Sequence, residues 1–217
     1  MRFSRIAFGS MAGLIAVALV VQMILLAQGG VDANTGNDTS DVGYGTRLVR
    51  LYSFFTIQSN VLVLLASASL ALRPQRDGRL WRVLQLDALL GIVITGIVFD
   101  LVLADQVHLT GWAYACTIVF HYVAPWVTLA LWLAFGPRPR LDWATIAWAF
   151  VWPIAWIVYT FAHGAISGFW PYPFLDADVK GYPTALLNTG AVVVVAAALA
   201  LAFKALDRLP TLGSDRG

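Results

Sequence analysis

The sequence predicts an all-α integral membrane protein, a single domain over residues 1–217 built as a bundle of six transmembrane helices. Of its 217 residues, 59% are hydrophobic and 12% are charged, and the mean hydropathy is +0.75. Because a soluble domain carries about 25% charged residues, this chain has far more apolar surface than a soluble core needs. Six apolar stretches also reach the roughly 20 residues that one helix needs to cross a bilayer.

The six predicted helices follow one another with short connections. The first apolar stretch exceeds the roughly 7–15 apolar residues of a cleavable signal peptide, so we expect it to remain as a helix. The connections carry helix-breaking residues, as in RPQRDGR, GPRPRLD and WPYPFLDADVKGYP. The expected helices cover residues 6–28, 46–72, 81–103, 111–135, 143–162 and 183–206.

The distribution of Lys and Arg predicts that both termini are cytoplasmic. Basic residues gather at the N-terminus, in the second and fourth connections and near the C-terminus, whereas the alternate connections carry Asp. The positive-inside rule therefore assigns the basic connections to the cytoplasm. Arg47 and Arg50 depart from the pattern, but long basic side chains at a helix end can extend to the membrane surface.

Several function classes are excluded by what the sequence lacks. Cys116 is the single cysteine, so no internal disulfide can form, and no metal-ligand spacing or cofactor fingerprint is present. No basic stripe interleaved with aromatic residues suggests contact with nucleic acid. We therefore expect no metal and no cofactor, and we expect membrane lipids rather than nucleic acid as partners.

One stretch of the second predicted helix, SFFTIQSN at residues 53–60, is polar although apolar runs flank it. Thr56 lies about ten residues, or roughly 15 Å, from the outer end of that helix. His121, in FHYVAPW, lies equally far along the fourth helix, which crosses in the same direction. Polar groups inside a membrane need a hydrogen-bond partner or contact with water, so we expect these two side chains to meet.

Further side chains share the helix faces or the level of this pair. The candidates for binding the substrate, stabilising an oxyanion or orienting the histidine are Tyr52, Ser59, Asn60, Thr117, Tyr172 and Asn188. Pro125 lacks an N–H, so the carbonyl of His121 loses its partner and the helix is expected to kink. A structural alternative exists, because a membrane Thr commonly bonds its own i−4 carbonyl and an Asn often joins two helices.

Three motifs in this order resemble one known family. The stretches FFTIQSN, FHYVAP and GFWPYPFLD, on a six-helix chain, are similar to the androgen-induced protein and androgen-dependent TFPI-regulating protein family. Animal members are six-helix membrane hydrolases that use a Thr–His pair to cleave fatty acid esters of hydroxy fatty acids, and bacteria have six-helix relatives. The resemblance implies a bacterial cytoplasmic (inner) membrane protein in which Thr56 is the nucleophile, His121 is the general base and Tyr172 belongs to the YPF element.

The expected function is therefore intramembrane hydrolysis of a lipid ester by a Thr–His pair, with Asn60, Ser59 or Asn188 as oxyanion donors. Two alternatives are open. A small proton- or solute-coupled transporter or channel would use His121 as a polar binding site, which Asp87 and Asp100 in the third helix also suit. A structural or assembly subunit would use the same polar groups only to join helices.

Overall fold

The computed structural model describes residues 2–29 and 39–211, and all regular structure within these residues is helical. Six helical spans are long and apolar enough to cross a membrane, so the predicted fold class is confirmed and the chain is a multi-pass membrane protein. Spans 1 to 6 are Arg2–Gln28, Phe55–Leu72, Arg79–Gln106, Gly111–Phe135, Trp143–Ser167 and Tyr182–Leu206.

Several spans are interrupted or extended by shorter elements. Span 3 is an α-helix to Val98 and ends in a π-turn and a 3₁₀ turn, while spans 4 and 5 each consist of two α-helices. The elements are Tyr44–Ser53, Arg79–Val98, Phe99–Leu103, Ala104–Gln106, Gly111–Ile118, Val119–Val123, Ala124–Phe135, Trp143–Ala149, Val151–Ser167, Pro173–Leu175 and Ala177–Lys180.

Span 3 is the central helix of the bundle. Most of its apolar stretch is buried, whereas most of spans 4, 5 and 6 faces outward. Two glycines let its neighbours approach closely. A Cβ at Gly91 would lie 2.8 Å from the hydroxyl of Ser59 and 3.0 Å from the ring of Trp152, and one at Gly96 would lie 2.8 Å from Pro125. Spans 2, 4 and 5 therefore pack directly on the backbone of span 3.

The two ends of the bundle differ in charge. We call the end with connections 73–78 and 136–142 the basic end, and the end with connections 104–110 and 168–181 the acidic end. At the basic end, the buried carboxylate of Asp207 accepts two successive backbone N–H bonds from connection 136–142, at 2.6 and 2.8 Å. Arg82 forms an ion pair with Asp77 at 2.7 Å and holds the pKa of that carboxyl well below its usual range.

The prediction of one continuous helix over 46–72 is wrong. Phe54 has extended backbone angles, φ −71° and ψ 126°, which separate the helix Tyr44–Ser53 from span 2. The break makes Thr56 the second residue of a new helix. Backbone groups next to such a break have no partner within the helix, so side chains must supply one inside a membrane protein.

Two π-turns lie side by side in spans 3 and 4. Residues Phe99–Leu103 form the first and Val119–Val123 form the second, which ends two residues before Pro125. The irregularity expected at Pro125 thus takes the form of a π-turn, because the missing N–H of proline prevents the regular α-helical bond. His121 lies within the second π-turn, and its ring stacks on Phe99 with 3.9 Å between ring centroids.

Candidate active site

Thr56 and His121 meet in the interior of the bundle. The Thr56 hydroxyl oxygen lies 3.4 Å from Nε2 of His121, and the two residues are 3% and 2% exposed. This separation exceeds the usual length of a hydrogen bond to a hydroxyl, but catalytic hydrogen bonds are often long before substrate binds. Thr56 and His121 are therefore adjacent, as expected from the residue count that assigned both to the same depth in the membrane.

The orientation of His121 is set by a backbone carbonyl. Its Nδ1 lies 3.1 Å from the carbonyl oxygen of Thr117, one turn earlier in span 4. A carbonyl can only accept, so Nδ1 carries the hydrogen and donates it. In the neutral imidazole, Nε2 then has a free lone pair that is directed at the Thr56 hydroxyl.

Tyr172 contacts Thr56 twice. Its hydroxyl accepts a hydrogen bond from the backbone N–H of Thr56 at 3.1 Å and lies 3.1 Å from the Thr56 hydroxyl. The ring is 7% exposed and packs against Phe54 and Phe174, with ring centroids 5.7 and 5.5 Å away. Connection 168–181 therefore folds back over the Thr–His pair and contributes a side chain to it.

A single hydrogen-bond chain satisfies all these contacts. Nε2 of His121 needs a donor, so the hydroxyl hydrogen of Thr56 points to it. The Thr56 oxygen then accepts the hydroxyl hydrogen of Tyr172, whose own oxygen already accepts the Thr56 N–H. Threonine is thereby placed between a proton acceptor and a proton donor, and the adjacent proton acceptor is the group that can activate a hydroxyl nucleophile.

Gln58 of SFFTIQSN and two indoles of span 5 stabilise the break in the helix. Gln58 donates to the carbonyl of Tyr52 at 2.8 Å, and the indole of Trp156 donates to the carbonyl of Ser53 at 2.9 Å. The indole of Trp152 in turn donates to the amide oxygen of Gln58 at 2.9 Å. Since an unpaired backbone group in the bilayer core costs several kcal/mol, these bonds allow a helix to begin at Phe55 inside the protein.

An apolar cavity of about 750 Å³, counted with its open mouth, begins at Thr56 and Tyr172. Spans 2, 3, 5 and 6 and connection 168–181 form its walls. The other lining residues are Phe55, Ile94, Thr95, Val98, Phe99, Leu103, Phe150, Pro153, Ile154, Trp156, Ile157, Phe174, Leu175, Thr189, Val192, Val193 and Ala196. His121 does not line the cavity and lies behind Thr56.

The polar groups of this cavity are concentrated at one end. Thr95 and Thr189 also line it, but each hydroxyl donates to its own i−4 carbonyl, at 2.9 and 2.8 Å. Two lining side chains on facing helices are exposed, Ile154 at 52% and Val193 at 36%, so the mouth lies between spans 5 and 6. The cavity is thus an apolar chamber with a lateral mouth and a polar end at Thr56.

Tyr52 and Ser59 lie away from the pair, contrary to prediction. Tyr52 is 49% exposed, because the break at Phe54 removes it from the helix face of Thr56. Ser59 is buried against Gly91 of span 3, has no hydrogen-bond partner among the described residues and does not line the cavity. Neither side chain is in a position to contact a substrate carbonyl at Thr56.

Asn60 and Asn188 have structural bonds instead of the oxyanion role expected of them. The two amide hydrogens of Asn60 are directed at the carbonyls of Thr56 and Phe120, at 2.8 and 3.4 Å. No donor is then left for an oxyanion, and the side chain joins spans 2 and 4. Asn188 donates to the carbonyl of Phe174 at 2.8 Å, so it holds connection 168–181 next to span 6.

Sequence reasoning missed three contributors to the site. Trp156 and Gln58 stabilise the break, and Phe99 stacks on His121. Trp156 belongs to WAFVWPIAW, whose composition is equally typical of lipid-facing aromatics. Trp152, Trp156 and Tyr159 are spaced so that they share one face of the helix, and each carries a hydrogen-bonding group. This shared face was the sequence signal that could have identified Trp156.

No family model matches the sequence, and comparisons with curated proteins and with solved structures find no significant match. The assignment of the site is therefore made from its geometry and chemistry. Within residues 2–29 and 39–211, the hydroxyls of Thr56 and Tyr172 and Nε2 of His121 lie within 3.4 Å of one another along one chain of contacts. These three side chains, at the polar end of an apolar chamber, have the groups that an acyl-transfer site requires.

Proposed function

We propose that the protein is an intramembrane hydrolase of lipid esters, in which Thr56 is the nucleophile and His121 is the general base. The single observation that carries this proposal is the Thr56 hydroxyl between the lone pair of His121 Nε2 and the hydroxyl of Tyr172. The resemblance to the family of six-helix threonine hydrolases supports it and suggests fatty acid esters of hydroxy fatty acids, or similar acyl esters, as substrates.

In the proposed first step, the Thr56 oxygen attacks the carbonyl carbon of the ester. The Thr56 proton passes to Nε2 of His121, and the carbonyl of Thr117 holds the imidazole in position through Nδ1. When the tetrahedral intermediate collapses, the bond to the alcohol breaks and His121 returns the proton to the departing alkoxide. An acyl group is left on the Thr56 oxygen.

Two donors at Thr56 suit the negative charge that develops on the carbonyl oxygen. One is the backbone N–H of Thr56, near the positive end of the helix that begins at Phe55. In chymotrypsin-like serine proteases, the N–H of the nucleophile likewise donates to the oxyanion. The other donor is the Tyr172 hydroxyl. It now accepts from that N–H and donates to the Thr56 oxygen, both at 3.1 Å, and in the proposed step both donors exchange these bonds for bonds to the oxyanion.

The cavity suits the acyl chain of a membrane lipid. Its walls are apolar away from the Thr56 end. The exposed Ile154 and Val193 indicate a mouth that opens between two spans rather than at an end of the bundle. A lipid ester already dissolved in the bilayer could enter laterally, without crossing water. Burial of the chain would then place the ester group at the polar end of the chamber.

The transporter alternative receives less support. A route for protons or ions needs polar groups along its length, and the candidates on span 3 are far apart. Asp87 precedes Phe99, which stacks on His121, by twelve residues, or roughly 18 Å of helix. The residues between Asp87 and Thr95 are the apolar run ALLGIVI. A continuous polar path along span 3 is therefore missing from the described residues.

Purified wild-type protein tests the proposal. In detergent it should cleave a long-chain fluorogenic ester, and in proteoliposomes it should not increase the proton flux that a pH-sensitive dye reports. The ester bond reaches Thr56 only when its acyl chain fills the cavity, so short-chain esters should be cleaved more slowly. Proton flux without ester cleavage would overturn the hydrolase proposal in favour of transport.

Replacing Tyr172 by phenylalanine should lower ester turnover by about 10²-fold or more, the usual effect of losing one oxyanion donor. The ring contacts with Phe54 and Phe174 remain in this variant, so the fold should be retained. Initial rates compared with wild type measure the effect, and thermal unfolding controls for stability. A Tyr172→Phe protein with the wild-type rate would exclude the hydroxyl from the reaction.

We place the protein in the bacterial cytoplasmic membrane, with the acidic end outside and both termini inside. In a Cys116→Ala background, Asp178→Cys should react with a membrane-impermeant maleimide on intact cells, because this exposed position lies at the acidic end. Arg76→Cys, exposed at the basic end, should react only after the membrane is permeabilised. The reverse pattern would invert the orientation that the distribution of basic residues predicts.

A further inference from the structure

A second cavity, of about 550 Å³ with its mouth, lies on the other side of Phe99. It is formed by connection 104–110 and the adjoining turns of spans 3 and 4, at the acidic end. The hydroxyl-bearing residues that line it are Tyr114, Thr117 and Tyr122. The apolar ones are Phe99, Ala104, Val107, Leu109 and Ile118. Part of this volume is open to solvent, so water can enter the cavity.

Phe99 and His121 together separate the two cavities. Phe99 lines both of them, and its ring stacks on the imidazole with an interplanar angle of 21°. Thr117 lines the second cavity and holds Nδ1 of His121, whereas Nε2 is directed at Thr56 in the first cavity. The imidazole thus has Nδ1 bonded to a residue that lines the second cavity and Nε2 directed at a residue that lines the first.

The two sides of this partition differ in polarity. In the first cavity, the hydroxyls apart from those at the Thr56 end are bonded to carbonyls of their own helices. Its mouth lies between spans 5 and 6, on the side of the bundle that faces lipid in a membrane. Tyr114, which lines the second cavity, is 53% exposed, and the cavity includes Val107 and Leu109 from the loop that follows span 3 at the acidic end. The second cavity is therefore the side from which water can approach.

We propose that this second cavity supplies the hydrolytic water to the acyl-enzyme, and that Phe99 is the movable partition through which the water passes. This inference rests on the proposed function, because it concerns the second half of the same reaction. Both rings lie on π-turns, Phe99–Leu103 and Val119–Val123, and π-turns are frequent at functional sites. Substrate and water thus reach Thr56 from opposite sides.

The chemical step balances without a further reactant. Water gives one proton to Nε2 of His121 while its oxygen forms a bond to the acyl carbon on Thr56. The bond between that carbon and the Thr56 oxygen then breaks, and His121 returns the proton to the Thr56 oxygen. A carboxylic acid leaves, and the hydroxyl of Thr56 is restored.

Filling the second cavity should slow deacylation and leave acylation unchanged. Ala104→Phe places a ring in the cavity without touching Thr56, His121 or Tyr172, and Val107→Trp does the same from the loop. With an activated nitrophenyl ester, both variants should keep the initial burst of nitrophenol and lose several-fold in the steady-state rate that follows. Their rate of covalent labelling by a fluorophosphonate should match wild type, because labelling needs only the attack by Thr56.

Ala115→Phe is the matched control, because Ala115 is exposed on span 4 and does not line the cavity. This variant should keep both the burst and the steady-state rate. A wild-type steady-state rate in both filling variants would overturn the inference, and so would an equal loss of labelling and turnover. A wild-type protein that gives neither labelling nor a burst would overturn the proposed function, and this inference with it.

Discussion

Replacing His121 by glutamine should lower hydrolysis of a long-chain ester by about 10²- to 10⁴-fold, the range typical of a general base. Glutamine keeps a polar group of similar reach and can donate a hydrogen bond toward the carbonyl of Thr117. It cannot accept the proton of Thr56, so the variant separates base function from packing. Turnover is measured on protein that elutes as a single species in detergent and unfolds at the wild-type temperature.

The other two histidines of the chain provide matched controls. His108 is exposed in connection 104–110, and His163 stacks on Tyr159 with 5.3 Å between ring centroids, near the acidic end. His108→Gln and His163→Gln should hydrolyse the ester at the wild-type rate. If His121→Gln is folded and retains the wild-type rate, the general-base assignment is wrong.

Replacing Thr56 by alanine should abolish hydrolysis, whereas replacing it by serine should preserve a measurable rate. Serine keeps the hydroxyl next to Nε2 of His121, while alanine removes the oxygen atom that forms the acyl bond in the proposed reaction. The two variants differ by one oxygen atom, so their comparison isolates the nucleophile. The measurement is the steady-state rate with the same long-chain ester.

Thr95→Ala and Thr189→Ala are the controls for the loss of a hydroxyl from the cavity. Both residues line it, but their hydroxyls bond carbonyls of their own helices, so neither change should affect turnover strongly. Equal rates for Thr56→Ala and Thr95→Ala would contradict the assignment of Thr56.

Much of this architecture could be predicted from local sequence. The lengths of the apolar stretches predicted the six spans, because a helix that crosses a membrane must satisfy its own backbone hydrogen bonds over about 20 residues. A constant rise per residue was enough to assign Thr56 and His121 to one level, although the count assumed one straight helix over 46–72. The actual break at Phe54 lies so close to Thr56 that the pair still meets.

The break itself could not be predicted, because no proline or glycine marks it. It is stabilised by distant partners: Trp156 lies 103 residues from Ser53, and Tyr172 lies 116 residues from Thr56. Such contacts depend on how spans 2, 3 and 5 pack. Gly91 and Gly96 permit that packing, but the sequence alone does not show which helices approach them. Asn60 was assigned to the oxyanion for the same reason, since its bond to the carbonyl of Phe120 becomes visible only when span 4 is in place.

Identification of the covalently modified residue tests the central claim most directly. Purified wild-type protein in detergent is treated with a long-chain fluorophosphonate, digested and analysed by tandem mass spectrometry. We expect a single modified site at the hydroxyl of Thr56, absent from Thr56→Ala and strongly reduced in His121→Gln, because attack on phosphorus needs the same base. A modification at any other residue, undiminished in Thr56→Ala, would contradict the proposal that Thr56 is the nucleophile.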